Sequence, residues 1–333
     1  MTRQQNPGSE PQKKVFLRYS RQELVIGKNG QKKLAHSSVA VLGVGALGTA
    51  ASELLARAGV GKLILVDRDV VEETNLQRQT LFSEKDVGTP KAEAAAHRLS
   101  EINSNIKIDY LVADVNYKTI ASYLGSSDLI LDCTDNLHTR FLLNEYCRKN
   151  KKSWVHAAAI RQEGNVMLVT PSTPCFRCTF GEAKHLETCD TAGVLGTTTA
   201  LIGALQAHLA LLYLIGERSP QELIHLHLDS LKMHAIATKK NPACPVCEGT
   251  YEYLDGKKET KHLENVCSGT YTLFVKGVDL SLLEKRLKKI GAVKRGRGYL
   301  FFGNLSVFES GKILVKAKSL AEAKSLVARY VGA

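Results

Sequence analysis

Short apolar runs alternate with segments of helical spacing along the first half of the chain. Residues 39–42 and 63–66 each have the length of one buried strand, and an Ala- and Leu-rich helical stretch separates them. Further strands are predicted at residues 106–112, 128–132, 154–159 and 164–170, and further helices at residues 90–102, 116–124 and 138–150. Because strands alternate with helices, the pattern predicts a Rossmann-like, doubly wound α/β fold with a mostly parallel sheet.

The pattern changes in the second half of the chain. An apolar helix, interrupted by Gln206 and His208, is predicted over residues 197–215, and two strands follow it. From about Thr270, short strands surround two helices, which predicts a small α+β domain with its own core. The predicted division is a disordered tail (residues 1–14), a nucleotide-binding domain (15–250), a charged linker (251–269) and a small domain (270–333).

A glycine fingerprint follows the first strand. Gly43, Gly45 and Gly48 form G-x-G-x-x-G between that strand and its helix. The first glycine permits a tight turn, the second lets a phosphate approach the backbone, and the third lets the helix pack closely. The helix N-terminus then offers N–H groups and a partial positive charge. With Asp67 at the end of the next strand, where ribose hydroxyls would lie, the motif predicts a nucleotide site without naming the nucleotide.

Charged and polar side chains outside the glycine loop extend this candidate site. They are Arg21, Asn75, Arg78, Lys91 and Asp135. Two of them belong to residues 70–89, a long polar segment of the kind that is often functional in a compact domain. A dinucleotide enzyme neutralises only a pyrophosphate, whereas several cations with a free carboxylate suit a triphosphate with Mg²⁺ better. Each cation taken alone also fits an ordinary surface residue.

Charge and composition narrow the choice of partner only slightly. The net charge of +12 fits nucleotide phosphates, nucleic acid or an acidic protein, and a solvated basic surface gives the same total. The first residues, MTRQQNPGSEPQKK, hold no apolar segment of the kind found in secretion signals. Polar residues interrupt each apolar run before it reaches membrane-spanning length. We therefore expect a cytoplasmic protein with no membrane partner.

Two C-x-x-C pairs stand out among the eight cysteines. They are Cys175 with Cys178 and Cys244 with Cys247. In a chain that is not exported, such pairs indicate a metal site rather than disulfides. Four thiolates suit a tetrahedral, structural Zn²⁺ that leaves no open coordination position. Free thiols, or a redox dithiol in one pair, are the alternatives.

The motifs together resemble a known family. RYSRQ, GVGALG, LVDRDVVEETNLQRQ, VGTPKAE, DCTDN, AAAIRQEG, CFRC, TCDTAGVLG and CPVC recur in this order in the ThiF/MoeB/HesA family. Its members are adenylyltransferases similar to ubiquitin-activating enzymes, and the resemblance covers residues 16–249. It implies a homodimer with one ATP site per subunit, which acts on a ubiquitin-like sulfur-carrier protein ending in Gly-Gly.

The resemblance also implies roles for individual residues. Asp67 would bind the ribose, Asp135 would hold Mg²⁺, and Arg21 would reach into the ATP site of the partner subunit. The residues expected on the phosphates are Asn75, Arg78 and Lys91. Ala46, where many members have glycine, Asp69 and Asn136 complete the expected nucleotide-binding set.

Cys189 belongs to neither C-x-x-C pair. It lies in HLETCDTAG just before the predicted apolar helix, and a helix N-terminus or a cation lowers the pKa of a thiol. The resemblance implies that Cys189 takes the activated carrier as a thioester or acyl-persulfide. The neighbouring Asp190 would raise the pKa of this thiol, and an ordinary loop cysteine is the alternative. The other candidates for a covalent role are Cys133, Cys147 and Cys267.

These observations favour ATP-dependent adenylation of the C-terminal glycine of a ubiquitin-like protein. The product would feed sulfur transfer for thiamine, molybdopterin or thiolated tRNA, with a sulfurtransferase as a further partner, or conjugation to another protein. An NAD-dependent oxidoreductase would share the glycine fingerprint but would not need NLQRQ or DCTDN. A basic zinc protein that binds RNA is the other alternative. The adenylation hypothesis itself requires no nucleic acid.

Overall fold

Two β-sheets carry the fold of this protein. The computed structural model describes residues 17–182, 192–258, 265–266, 270–275, 277–296, 298–309 and 311–332. One sheet has eight strands and the other has six. The predicted tail, residues 1–14, lies outside the described residues.

The eight-stranded sheet contains the ends of the strands on which the candidate site depends. Its strands are β1 (Ser38–Leu42), β2 (Lys62–Asp67), β3 (Lys107–Val112), β4 (Leu129–Asp132), β5 (Ser153–Ile160), β6 (Glu163–Val169), β7 (Leu223–His227) and β8 (Lys232–Ile236). They lie in the order β3-β2-β1-β4-β5-β6-β7-β8. The first five strands of this order pair in parallel, and the last three join antiparallel. The predicted doubly wound, mostly parallel sheet is confirmed.

Helices cover both faces of this sheet. They are α1 (Ser20–His36), α2 (Ala46–Ala58), α3 (Lys91–Ile102), α4 (Ile120–Leu124), α5 (Leu137–Lys149), α6 (Phe176–Phe180) and α7 (Gly196–Ile215). Pro90 is the cap residue before α3, one position earlier than its predicted place inside the helix. Proline fits there because it has no N–H group to leave unpaired.

Successive residues of β1 point into two different apolar clusters. Val39 and Val41 pack with residues of α2, α3 and α7, whereas Ala40 and Leu42 pack with residues of α4 and α5. A strand that is covered on both faces needs a continuous apolar run instead of an alternating pattern. This burial explains why the short runs in the sequence identified the central strands.

Helix α7 belongs to the core of the protein. Among the described residues it is the helix that is long and apolar enough to cross a membrane by length and composition, yet half of it is buried in this fold. Gln206 on α7 donates hydrogen bonds to the carbonyl oxygens of Asp132 at 2.8 Å and Val155 at 2.9 Å. A Cβ atom on Gly203 would lie 2.8 Å from that of Ala50, so α7 packs directly on α2.

The six-stranded sheet is antiparallel throughout. Its strands are β9 (Asn265–Val266), β10 (Thr270–Phe274), β11 (Lys294–Gly296), β12 (Tyr299–Phe302), β13 (Leu305–Phe308) and β14 (Lys312–Lys316), in the order β11-β12-β13-β14-β10-β9. Two helices, α8 (Leu280–Leu287) and α9 (Leu320–Tyr330), share an apolar cluster with one face of this sheet. A small α+β unit was predicted in this part of the chain, and its separability stays a prediction.

The other face of the second sheet meets the first part of the fold at α3. Tyr299, Phe308 and Leu314 are buried in the same apolar cluster as the residues of α3. The hydroxyl of Tyr299 also donates to Oε2 of Glu93 on α3 at 2.9 Å. Apolar burial and a hydrogen bond therefore join the two sheets.

Residues 251–258, predicted as the first part of a linker, pack against α5. The carboxylate of Glu145 accepts hydrogen bonds from the backbone N–H groups of Glu252, Tyr253 and Leu254 at 2.8–3.1 Å. The ring of Tyr253 stacks on Phe141 with centroids 5.2 Å apart. These contacts hold the segment against the fold, while the boundaries of the predicted linker stay a prediction.

Candidate active site

The candidate site lies at the carboxyl ends of β1, β2 and β4. Leu42 is level with Val66 on one side and with Asp132 on the other, so the loops that follow these strands start at one rim. The strand order changes direction at β1, and crevices at such points bind ligands in open α/β sheets. The predicted glycine loop, Asp67 and Asp135 therefore meet at a single crevice.

The three glycines of the fingerprint serve different purposes. Gly43 has a φ of +88°, and a Cβ atom there would lie 2.8 Å from the carbonyl oxygen of Cys133. A Cβ atom on Gly48 would lie 2.1 Å from the carbonyl oxygen of Gly43, so α2 packs closely on the loop. Gly45 faces open space, with Gln79 Nε2 as the nearest atom at 3.9 Å. No side chain caps α2 at Gly45, which leaves room for a phosphate at the helix N-terminus.

Asp67 is anchored beside this loop. Its carboxylate accepts hydrogen bonds from the backbone N–H groups of Val44 at 2.6 Å and Asp69 at 2.7 Å. Burial raises the pKa of Asp67, while Lys91 and the two backbone donors act in the opposite direction. Each carboxylate oxygen keeps a further lone pair, because a carboxylate offers about four acceptor positions. Asp67 is thus oriented as an acceptor at the rim.

Lys91 stands at the start of α3 and is 8% exposed. Its ammonium nitrogen lies 3.5 Å from Oδ2 of Asp69. Burial acts to lower the pKa of Lys91, but the carboxylates of Asp69, Asp67 and Asp135 outweigh burial and raise it. Lys91 is therefore a positive charge within the field of three aspartates, two that come from the end of β2 and one from the loop after β4.

The loop after β4 holds two aspartates in contrasting environments. Asp135 is exposed, whereas Asp132 is fully buried. Oδ2 of Asp132 lies 2.9 Å from Nδ1 of His156 and 3.3 Å from Nε of Arg140. Burial acts to raise the pKa of Asp132, but Arg140 and His156 outweigh it and hold that pKa low. Sequence reasoning missed this network, for which the first Asp of DCTDN was the only signal.

Arg140 ties the same network to the backbone of the loop. Its Nη2 donates to the carbonyl oxygen of Thr134 at 2.5 Å, and Thr134 in turn donates its hydroxyl to Asp132 at 2.7 Å. Asn136 caps α5 by accepting a hydrogen bond from the N–H of Thr139 at 2.8 Å. The side chain of Asn136 is therefore engaged in holding the helix, and its predicted contact with the nucleotide stays a prediction.

The segment after β2 is a loop braced by its own side chains. A short 3₁₀-helix, Glu73–Asn75, follows Glu72, and Oδ1 of Asn75 accepts the backbone N–H of Glu72 at 3.1 Å. Arg78 donates to the carbonyl oxygen of Thr74 at 2.9 Å. The side chain of Gln79, which sequence reasoning did not single out, is 3% exposed and lies against the glycine loop. Asn75 thus shapes the loop that presents Arg78.

An open cavity of about 540 Å³ lies between this loop and the N-terminus of α7. It is lined by Gln77, Arg78, Thr80, Leu195, Gly196, Thr197 and Ala200. Gly196 allows the close approach, because a Cβ atom there would lie 2.6 Å from the carbonyl oxygen of Gln77. Arg78 therefore borders a space that a ligand could enter from the rim.

Arg21 is not brought to the crevice of its own chain. Its neighbours Tyr19 and Gln22 contact the far end of α2, where Gln22 donates to the carbonyl oxygen of Ala58 at 2.8 Å. Helix α2 spans 13 residues, so its ends are about 20 Å apart at 1.5 Å per residue. The exposed Arg21 thus lies at the opposite end of α2 from the glycine loop.

A line of alternating charges runs from the crevice to the second sheet. Beyond the pair of Lys91 and Asp69, Nε of Arg68 lies 3.7 Å from Oδ1 of Asp69, and Nη1 of Arg68 lies 2.6 Å from Oδ1 of Asp114. Lys312 on β14 completes the line with its Nζ 2.7 Å from Oδ2 of Asp114. Sequence reasoning missed this line, because its members lie far apart in the chain.

The four paired cysteines meet in one cluster. The Sγ atom of Cys175 lies 3.6 Å from the Sγ atoms of Cys178 and Cys244. The Sγ atom of Cys178 also lies 3.6 Å from that of Cys247. Disulfide sulfurs would be about 2.05 Å apart, whereas thiolates on a tetrahedral Zn²⁺ with bonds of about 2.3 Å stand about 3.8 Å apart. The donor set and its spacing fit a zinc ion.

The structure narrows the search for a reactive thiol. Cys189 and Cys267 lie outside the described residues. Cys133 is buried and donates its thiol to Oε1 of Gln206 at 3.1 Å, and burial raises its pKa well above the usual value. Cys147 is 1% exposed, and burial likewise raises its pKa. Neither of these two cysteines has the exposed, low-pKa environment of a nucleophile.

The chain is similar to known proteins over most of its length. The model of the ThiF family matches residues 19–246. The SAMP-activating enzyme E1 of Haloferax volcanii is 39% identical over 246 residues, which cover 72% of this chain and 91% of that protein. The sulfur carrier protein ThiS adenylyltransferase of Bacillus subtilis is 35% identical over 337 residues, covering 95% and 99% of the two chains.

Solved structures give the same answer for the fold. The crystal structure of Escherichia coli MccB with ATP is 26% identical to this chain and superimposes with a TM-score of 0.63. The match covers 69% of this chain and 74% of that one. The similarity to the Bacillus subtilis protein extends through 95% of the chain, so it includes the second sheet as well.

Proposed function

Because the chain belongs to the ThiF family, we propose that it uses ATP to adenylate the C-terminal carboxylate of a ubiquitin-like sulfur-carrier protein. Relatives named for this activity include adenylyltransferases for the sulfur carrier ThiS and for molybdopterin synthase. The observation that carries the proposal is the joint position of the glycine loop, Asp67, Lys91 and Asp135 at one crevice.

The proposed reaction needs little from the protein beyond positioning. A carboxylate oxygen of the carrier attacks the α-phosphorus of ATP and forms a new oxygen–phosphorus bond. The bond from the α-phosphorus to its bridging oxygen breaks, and pyrophosphate leaves with that electron pair. The carboxylate is already ionised at neutral pH, so no proton is transferred. Holding the reactants in line and neutralising the phosphates supply the catalysis.

The residues at the crevice divide these tasks. Backbone N–H groups at the start of α2 would bind phosphate oxygens, and the free lone pairs of Asp67 would accept ribose hydroxyls. Lys91 and Arg78 would neutralise the phosphates, with Arg78 held in place by the loop that Asn75 braces.

Asp135 is the residue that would hold Mg²⁺. Its carboxylate is exposed, and its charge contributes to the raised pKa of Lys91, which supports a position beside the phosphates. Carboxylates together with phosphate oxygens are the usual ligands of this ion. When bound, Mg²⁺ supplies charge neutralisation at the phosphates.

Arg21 supports a homodimer with shared sites. It is exposed at the far end of α2 from the glycine loop, a position that supports contact with a partner subunit rather than with the crevice of its own chain. We propose that each subunit lends this arginine to the other. The cysteine cluster would hold a structural Zn²⁺ in each subunit. The acyl-adenylate would then pass to sulfur transfer, with a sulfurtransferase as partner, or to protein conjugation.

The decisive experiment measures exchange of labelled pyrophosphate into ATP. The probes are purified ubiquitin-like proteins that end in Gly-Gly, each compared with a version lacking the final glycine. We expect exchange with an intact carrier and none with its shortened version. Exchange that ignores the carrier terminus would contradict the proposal, as would hydride transfer to or from NAD, or salt-sensitive RNA binding in the absence of any exchange.

A further inference from the structure

A second group of side chains of the kind that bind metal ions lies on β6 and β7. Glu163 pairs with His227 in the strand register, and Asn165 pairs with His225. Because side chains alternate along a strand, residues two apart share a face. The two histidines, the carboxylate and the amide therefore stand together on one face of the antiparallel part of the sheet.

The distances within this group suit a metal ion. Nδ1 of His227 lies 3.3 Å from Oε1 of Glu163, and Nε2 of His225 lies 3.9 Å from Oε2 of the same carboxylate. The three ligand atoms all lie within 4.8 Å of one another. Donors on a common zinc-sized ion, with bonds of about 2.0–2.2 Å, stand roughly 3–4 Å apart. Small side-chain rotations would bring all three to that spacing.

Asn165 orients one of the histidines. Nδ1 of His225 lies 2.5 Å from Oδ1 of Asn165. An amide oxygen only accepts hydrogen bonds, so Nδ1 carries the proton and Nε2 keeps its lone pair. That lone pair belongs to the nitrogen nearest Glu163. Metal-binding histidines are typically fixed in this way, with the second ring nitrogen donating to an oxygen acceptor.

The group is open to solvent and has room for further ligands. The side chains of His225, His227 and Glu163 are 21%, 35% and 49% exposed. His234 on β8 pairs with His225 in the register, and its ring centroid lies 5.9 Å from that of His227. Three fixed donors with open positions are typical of sites that also bind water or a second molecule.

We propose that Glu163, His225 and His227 form a second metal site, for a divalent transition-metal ion such as Zn²⁺, Ni²⁺ or Cu²⁺. Imidazole and carboxylate donors suit these ions, and Cu²⁺ binds most tightly in the usual order. The site differs from the cysteine cluster, whose thiolates favour softer metal ions. It bridges β6 and β7.

The test uses full-length, untagged protein whose cysteine cluster is saturated with zinc. Cu²⁺ is titrated in a buffer that does not bind metal, and bound copper is counted after equilibrium dialysis. We expect one saturable equivalent, with the electron paramagnetic resonance signature of two imidazole nitrogens and no sulfur. His227→Ala and the double variant with His225→Ala should lose this equivalent. His97→Ala, which removes an exposed histidine of α3, should keep it.

The variant Asn165→Ala tests whether Asn165 orients His225 for metal binding or contributes only to the structure of the sheet. Loss of such an outer partner typically weakens metal affinity about 10- to 100-fold, and we expect a drop of this size with unchanged stoichiometry. Far-UV circular dichroism and zinc content establish that each variant is folded. Copper binding that persists in the double variant, or that shows sulfur ligands, would overturn the proposal. An absence of saturable copper binding would also overturn the proposal, because Glu163 and His227 would then be an ordinary ion pair.

Discussion

The two aspartates of the loop after β4 show how burial divides the tasks of neighbouring residues. Asp132 is fully buried, pairs with Arg140 and His156, and fixes the path of the loop. Asp135, three residues later, is exposed at the rim. An exposed carboxylate can be removed at little cost in stability, whereas removal of one partner from a buried ion pair costs about 3–5 kcal/mol. Substitution of Asp135 therefore tests chemistry without disturbing the fold.

We expect Asp135→Ala to abolish carrier-dependent pyrophosphate exchange, because the phosphates lose the ligand that would hold Mg²⁺. The melting temperature should stay within a few degrees of the wild-type value. Asp255→Ala, which removes an exposed aspartate beyond the other end of α5, serves as the matched control and should retain exchange. Full exchange activity in Asp135→Ala would remove Asp135 from the site.

Cys189 is the thiol to test for covalent chemistry, because Cys133 and Cys147 are buried with raised pKa values. We expect Cys189→Ala to retain pyrophosphate exchange but to lose a reductant-sensitive adduct with the carrier. Non-reducing gels and intact mass after incubation with carrier and ATP measure the adduct. Cys147→Ala is the control that should keep it. An undiminished adduct in Cys189→Ala would direct attention to Cys267.

At the scale of elements, the sequence predicted what depends on local pattern. Residues covered on both faces form continuous apolar runs, so β1, β2 and β4 were found, and the residues just after them marked the rim. The network of Asp132 was missed because it depends on register. Asp132 lies opposite His156 on two neighbouring parallel strands, and the sequence of neither strand indicates this register. The same reason hid the group on β6 and β7.

The cysteine cluster connects elements that are distant in the chain. It joins the start of α6 to the turns at residues 244–247, and α7, β7 and β8 lie between the two pairs in the chain. We expect Cys244→Ser to lose about one zinc per subunit and to melt at a lower temperature, because structural zinc contributes folding free energy. Elemental analysis and calorimetry measure both effects, with Cys147→Ala as the control for a lost buried thiol. Unchanged zinc content would refute the assignment.

At the scale of the whole molecule, the two sheets share a buried electrostatic contact. Lys312 reaches from the second sheet to Asp114, and Arg68 carries the contact on to Asp69 at the crevice. Burial, with a smaller effect of Arg68, lowers the pKa of Lys312 to about 8. The ammonium group is therefore less favoured in the folded protein than in the unfolded chain, where its pKa is about 10.4.

This shift predicts a pH dependence of stability. Between about pH 8 and about pH 10.4 the unfolded chain binds more protons at Lys312 than the folded one, so the free energy of unfolding rises with pH. Across this window we expect the free energy of unfolding of the wild type to rise relative to that of Lys312→Met, by at most about 1.4 kcal/mol per pH unit. Denaturant unfolding at several pH values measures the difference. Lys316→Met, at a more exposed position of β14, should show the same pH dependence as the wild type. If the free energy of unfolding of Lys312→Met also has the pH dependence of the wild type, the lowered pKa of Lys312 is contradicted.

The position of β1 between β2 and β4 has a consequence for the chain during its synthesis. Ser38, at the start of β1, meets Asp128 from a point 90 residues further along the chain. At a translation rate of about 5–20 residues per second, one edge of β1 waits about 5–18 s for its partner to emerge. An apolar strand with unpaired backbone groups is a template for wrong pairing. We expect ribosome-associated chaperones to engage the nascent chain during this interval, and to release this part of it once β4 has paired with β1.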